Sequence, residues 1–93
     1  MQRHEVVLSP RAGEDLDTLS PDTAIRIARK LRELESDPAP RGDTIKRLQG
    51  FSPSRYRLRV GDYRAVFLTE GGRVVVLRVI HRSELERALR DLM

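Results

Sequence analysis

Apolar residues along this chain change their period repeatedly, and each change marks an element. "RHEVVL" (residues 3–8) closes on three consecutive apolar positions and predicts a short opening strand. Two stretches with helical spacing follow. The first puts Ala12, Leu16 and Leu19 on one face, and the second Ala24, Ile27, Ala28, Leu31 and Leu34. Each is preceded by Ser-Pro, at Ser9-Pro10 and Ser20-Pro21. A serine hydroxyl can accept a free amide of the first turn, and proline suits the first helical position, where no N–H is needed. The second helix should stop at Asp37, because Pro38 disfavours helical backbone in the residue before it.

The next seventeen residues, 37–53, show no clear period. Connections beyond roughly 12–15 residues are usually functional or mobile, and a short strand or turn at Ile45–Leu48 would fit here. Extended patterns return at 54–60, 63–69 and 73–80, joined by Gly61-Asp62 and by Glu70-Gly71-Gly72. "VVVL" within the last of them reads as an inner strand covered on both faces. A final helix carries Leu85, Ala88, Leu89 and Leu92 on one side. The order β-α-α-β-β-β-α predicts one α+β domain over residues 1–93. An N-terminal strand and two-helix hairpin pack on a mainly antiparallel four-stranded sheet, with a short C-terminal helix.

The hairpin "RYRLRVGDYRAVF" (residues 55–67) raises a physical difficulty. With Gly61 and Asp62 as the loop, Val60 faces Tyr63, Leu58 faces Ala65 and Tyr56 faces Phe67, all on the core side. On the other side Arg59 then stands opposite Arg64, and Arg57 opposite Val66. Opposed residues have Cβ atoms about 4.5–5.5 Å apart, where like charges destabilise a sheet. An anion between the two guanidinium groups would remove the conflict, and phosphate matches their donor fork. The ordinary alternative is a solvated edge, with the side chains splayed apart or paired with Asp43 or Asp62. Tyr56, Tyr63 and Phe67 fall on the core side in this register and make poor base-stacking platforms.

Composition sharpens this. The chain has 93 residues, enough for one modest core, and no cysteine, so disulfides and thiolate metal sites are excluded. "MQRHEVVLSP" lacks the apolar length of a signal peptide or membrane span, so a soluble cytoplasmic protein is expected. Formal charge is only +4, but residues 41–64 hold seven basic side chains against two acidic ones, a local +5. Sixteen of the 18 basic residues are arginine, which suits bidentate phosphate contacts. Four arginines inside such a segment favour anion binding over a merely solvated face. Lys46, Arg47 and Arg55 are further candidates for gripping an RNA backbone, although they could equally just solubilise the loop.

At "YRLRVGDYRAVF…RVVVLRVIHRSELER", with "IKRLQG" upstream similar to a K-x-L-x-G pattern, the chain resembles the RelE/ParE superfamily of type II toxin–antitoxin toxins. The resemblance covers nearly the whole chain and includes the element order. For RelE-like members it implies metal-independent, cofactor-free cleavage of mRNA in the ribosomal A site, with a 2′-hydroxyl attacking the neighbouring phosphate. It also implies an antitoxin as the tight partner, covering the basic face or displacing the C-terminal helix. Matched by motif, Arg57 and Arg59 fall where RelE has two functional lysines, and Arg64 and Arg82 match two functional arginines. Two positions depart from the pattern. Glu86 stands where a tyrosine is common, and Arg57 is a poor base where a proton-transferring lysine is expected, because arginine keeps its proton near neutral pH. Glu86 or His81 could take over acid–base work. Their ordinary roles would be a surface pair with Arg90 for Glu86, and hydrogen bonding for His81. His4 receives no role. The alternatives to the ribonuclease are a ParE-like DNA gyrase poison that cleaves no RNA, and a degenerate RNA-binding relative.

Overall fold

The two Ser-Pro pairs open their helices as expected. The structure, a computed structural model, describes residues 3–92; Met1, Gln2 and Met93 lie outside the described residues. Ser9, in extended backbone, accepts the Ala12 N–H on its Oγ at 3.1 Å and so starts α1 (Pro10–Asp17). The same hydroxyl donates to the Leu77 carbonyl at 3.0 Å, tying α1 to the last strand. Ser20 accepts from the Thr23 N–H and opens α2 (Pro21–Glu33). The regular helix ends four residues before the expected Asp37. From Leu34 to Ser36 each amide bonds to the carbonyl three residues back, a tightened turn that winds down ahead of Pro38.

The sheet has five strands rather than four: β1 (Glu5–Leu8), β2 (Ile45–Leu48), β3 (Arg55–Val60), β4 (Tyr63–Glu70) and β5 (Arg73–His81). The extra one, β2, is the short apolar stretch inside the aperiodic segment. It became a strand because Ile45, 1% exposed, docks opposite Leu58. Spatial order is β1-β5-β4-β3-β2, with β1 parallel to β5 and the other pairs antiparallel. Helices α1 and α2 cover one face. There Ala12, Ile27, Leu31 and Leu34 meet Ile45, Leu58, Val60, Ala65, Phe67, Val74, Val76 and Val79 in the main core. The apolar stripe of α2 is narrower than its sequence suggests, since Ala28 is exposed and Ile25 is 51% exposed. None of the helices among the described residues is long and apolar enough to cross a membrane.

One irregularity shapes the opposite face. Phe67 pairs with Val76 and Val66 with Arg78, so Leu77 is an extra residue on β5 and the alternation shifts there. Beyond the shift, Val79 faces the main core beside Ala65, while Ile80 turns to the other side next to Arg64. Val66 and Ile80 are buried on that side, and Ala88 of α3 (Leu85–Asp91) is the remaining buried residue outside the main core. The C-terminal helix therefore docks on β5, while the β3–β4 part of this face is left to the side chains of those strands.

Candidate functional site

The β3–β4 part of that face carries the arginines. Gly61 and Asp62 form the two-residue turn, and the register is the expected one: Arg59 opposite Arg64, Arg57 opposite Val66, Tyr56 opposite Phe67. Gly61 has φ +57° at the first loop position, the conformation of a type II′ turn.

A single carboxylate eases the repulsion. Residues 41–45 form a tight loop in which Arg41 and Ile45 exchange backbone hydrogen bonds and Gly42 takes φ +50°. This loop swings Asp43 against β3. Arg57 donates to the Asp43 carbonyl at 3.0 Å and to its Oδ1 at 3.2 Å, Arg59 donates to Oδ2, and Lys46 Nζ lies 3.2 Å from Oδ1. These contacts, with Lys46 first, hold the Asp43 carboxyl down at a pKa of about 2. Three cations on one anion leave a local excess of positive charge.

Arg64 has no carboxylate among the described residues. Its Nη1 donates to the carbonyls of Gly61 and Tyr63, both at 2.9 Å. Partial burial, and after it the charges of Arg57, Arg59 and Arg82, hold its pKa below the ordinary guanidinium value. Arg82 begins the single 3-10 turn Arg82–Glu84 that follows β5. Its N–H donates to the Asp62 carbonyl at 2.7 Å, and its guanidinium sits 3.6 Å from the exposed Asp62 carboxylate. The four arginines singled out by the sequence thus share one surface around the Gly61-Asp62 turn. Lys46, paired with Arg57 across β2–β3, joins them.

The remaining candidates lie elsewhere. His81 pairs with Tyr63 on the helix-covered side, edge-on to its ring at 5.6 Å. Its Nδ1 accepts the Ser83 N–H at 3.2 Å, which caps the 3-10 turn. Glu86 is exposed and has no ion pair among the described residues. The Glu86–Arg90 pair does not form, whereas Glu84 and Arg87 meet at 3.4 Å. Arg47 pairs with Tyr56 and so points to the other face from Arg57. Arg55 lies over the Phe51 ring at 5.8 Å and donates to the Pro53 carbonyl, four residues or roughly 13 Å along β3 from Arg59. Among the described residues, no group of three or more His, Asp or Glu could hold a metal ion.

The sequence reading missed the ion pair that braces this surface from behind. Arg78 meets Asp15 of α1 through two hydrogen bonds, Nε to Oδ2 at 2.8 Å and Nη2 to Oδ1 at 3.2 Å. The same Oδ2 accepts the Val79 N–H at 2.8 Å, satisfying the β5 edge where β1 has ended. Both side chains are nearly covered, and the Arg78 pKa is raised, first by its hydrogen bonds to Asp15. No local signal links two residues 63 positions apart.

No curated protein is significantly similar in sequence. Solved structures share the fold. The archaeal RelE–RelB complex from Pyrococcus horikoshii OT3 is 24% identical over 87% of this chain and 97% of that one, with a TM-score of 0.73. The toxin–antitoxin complex RelBE2 from Mycobacterium tuberculosis is 25% identical over 86% and 99%, with a TM-score of 0.74. The RelB–RelE antitoxin–toxin complex from Methanococcus jannaschii is 23% identical over 88% and 96%, with a TM-score of 0.70. The family described as the ParE toxin of the type II toxin–antitoxin system parDE matches residues 6–86, a span that runs from β1 into α3 and includes every arginine of the surface. This chain belongs to that ParE toxin family, within the RelE/ParE superfamily of type II toxin–antitoxin toxins.

Proposed function

We propose that this toxin is a ribosome-dependent mRNA endonuclease, acting in the cytoplasm and held inactive by a cognate antitoxin. The observation that carries this reading is the opposition of Arg59 and Arg64, with Arg57 beside Arg59 on the same side of β3 and Arg82 anchored to the same Gly61-Asp62 turn. Such a surface suits a phosphate that becomes more negative as it reacts. The 2′-oxygen, giving up its proton to solvent, would bond to phosphorus while the bond to the 5′-oxygen breaks and that oxygen takes a proton from solvent, leaving a 2′,3′-cyclic phosphate and a 5′-hydroxyl. Arg64 and Arg82 are placed to bind the charge that develops, and preorganised charge stabilisation is usually the largest single contribution to such catalysis. Arg57 and Arg59 would orient the strand, with Asp43 fixing their planes. The antitoxin partner is supported by the neighbouring structures, which are themselves complexes with RelB or RelB-type antitoxins.

A gyrase poison is the second reading. It is favoured by the match to the ParE toxin family and by the lack of a free base among the converging side chains described above. All are cationic except Asp43, and that carboxylate is already paired with three of them. Mapping transcript 5′ ends on stalled ribosomes separates the two. The ribonuclease reading expects breaks inside A-site codons that vanish with Arg64→Ala or Arg82→Ala while the variants stay folded. Broken DNA with intact codons would replace it with the gyrase reading. Expression without the antitoxin should arrest growth, and a small adjacent open reading frame should relieve the arrest.

A further inference from the structure

Two arginines approach Gly61 from opposite sides of the sheet. From the open face, Arg64 donates to the Gly61 carbonyl at 2.9 Å. From the helix-covered face, Arg26 of α2 lays its guanidinium against the glycine itself. A Cβ built on Gly61 would stand 2.7 Å from Arg26 Nη2 and 3.3 Å from its Cζ. Gly61 is favoured by its φ of +57°, and a Cβ there would also push the Arg26 guanidinium aside. Arg26 is exposed. Among the described residues it has no carboxylate within ion-pair distance, although Asp22 lies one turn before it and Asp62 adjoins Gly61. A guanidinium resting beside backbone rather than on an acid keeps its five donors free for a ligand.

We infer that Arg26 is a second phosphate contact, taking the backbone of a nucleotide that flanks the one at Arg57, Arg59, Arg64 and Arg82. The RNA strand leaves the arginine face over the Gly61-Asp62 turn and runs onto α2. This inference rests on the RNA reading above and extends its footprint from one face of the sheet around the rim to the other. It also explains why a helix residue with no carboxylate partner among the described residues reaches toward the tip of the hairpin that carries the site.

The test measures binding of uncleavable 2′-O-methyl single-stranded RNA to the full chain over a range of salt, with Arg26→Ala and Arg64→Ala as variants. Alanine is well tolerated in a helix, so Arg26→Ala should fold normally. A lost single-strand phosphate contact lowers the salt slope by about 0.7, so the wild-type advantage should shrink about 2.6-fold for each fourfold rise in salt. The loss should appear with a hexanucleotide and be absent with a dinucleotide, whose one phosphate is taken by the arginine cluster. Equal affinity and slope for Arg26→Ala and wild type on the hexanucleotide, with Arg64→Ala weakened, would overturn the Arg26 contact and leave the RNA reading standing. A wild-type chain that binds neither oligonucleotide would also overturn the Arg26 contact, while the RNA reading itself stands or falls separately on the A-site breaks described above.

Discussion

Three cations share the Asp43 carboxylate, so a phosphate arriving at Arg57 or Arg59 has to compete with it. Asp43→Asn removes the charge of that competitor. It should tighten binding of uncleavable RNA severalfold and steepen its salt dependence, since less internal neutralisation leaves more for the phosphates to supply. The folded protein should loosen at the same time, most at low ionic strength, because Arg59 then faces Arg64 with no carboxylate neutralising it. The pH dependence has a definite sign. Asp43 in the folded chain has a pKa of about 2, below the 3.8 of an unperturbed aspartate, so its ionised form favours folding. That contribution is complete above about pH 4 and is lost as pH falls towards 2. The Tm gap between wild type and Asp43→Asn should therefore be flat from neutral pH down to mild acid and close below it. A gap that changes around pH 6–7 instead would assign the effect to another group.

Between elements, the Asp15–Arg78 pair does what no helix or strand does alone: it holds α1 against β5 past the end of β1. Removing one partner of a covered ion pair leaves the other desolvated and unpaired. Asp15→Ala, which also strands the Val79 N–H, should cost about 3 kcal/mol in denaturant unfolding. Gly61→Ala should cost about 1–2 kcal/mol for the left-handed backbone, and it should also displace Arg26. Its RNA affinity should fall with the same salt signature as Arg26→Ala. The elements were legible wherever chemistry was local. Ser-Pro fixed both helix starts, and Gly-Asp fixed the hairpin register that opposes Arg59 and Arg64. Asp43 and Asp62 were visible as acids near arginines, but only the folded 41–45 loop shows that one of them serves three cations. The bulge at Leu77, the Asp15–Arg78 pair and the contact of Arg26 with Gly61 depend on tertiary approach and leave no periodic trace. His81 was a reasonable acid–base candidate from its pKa class. The shifted alternation of β5 turned it to Tyr63, where it serves as a cap.

For the whole molecule, a basic face on one half of a sheet means that anions stabilise the fold by occupying it. Phosphate should raise Tm by several degrees more than chloride at equal ionic strength, because binding to the folded state alone adds about 1.4 kcal/mol at roughly ten times the dissociation constant. Arg64→Ala should reduce that difference, and an equal response to both salts would argue for general screening rather than a site. The connectivity adds a matter of timing. β1 lies beside β5, and the bond from Ser9 to the Leu77 carbonyl joins positions 68 apart. A ribosome delivers the chain from its N-terminus, so Val6 and Val7 have no neighbouring strand until the fifth has emerged. Arg82 comes later still. On the proposed reading, the machine that makes this toxin is spared by it during manufacture, since the growing product stays unarmed until β5 and Arg82 have been joined and can fold onto β1 and β4.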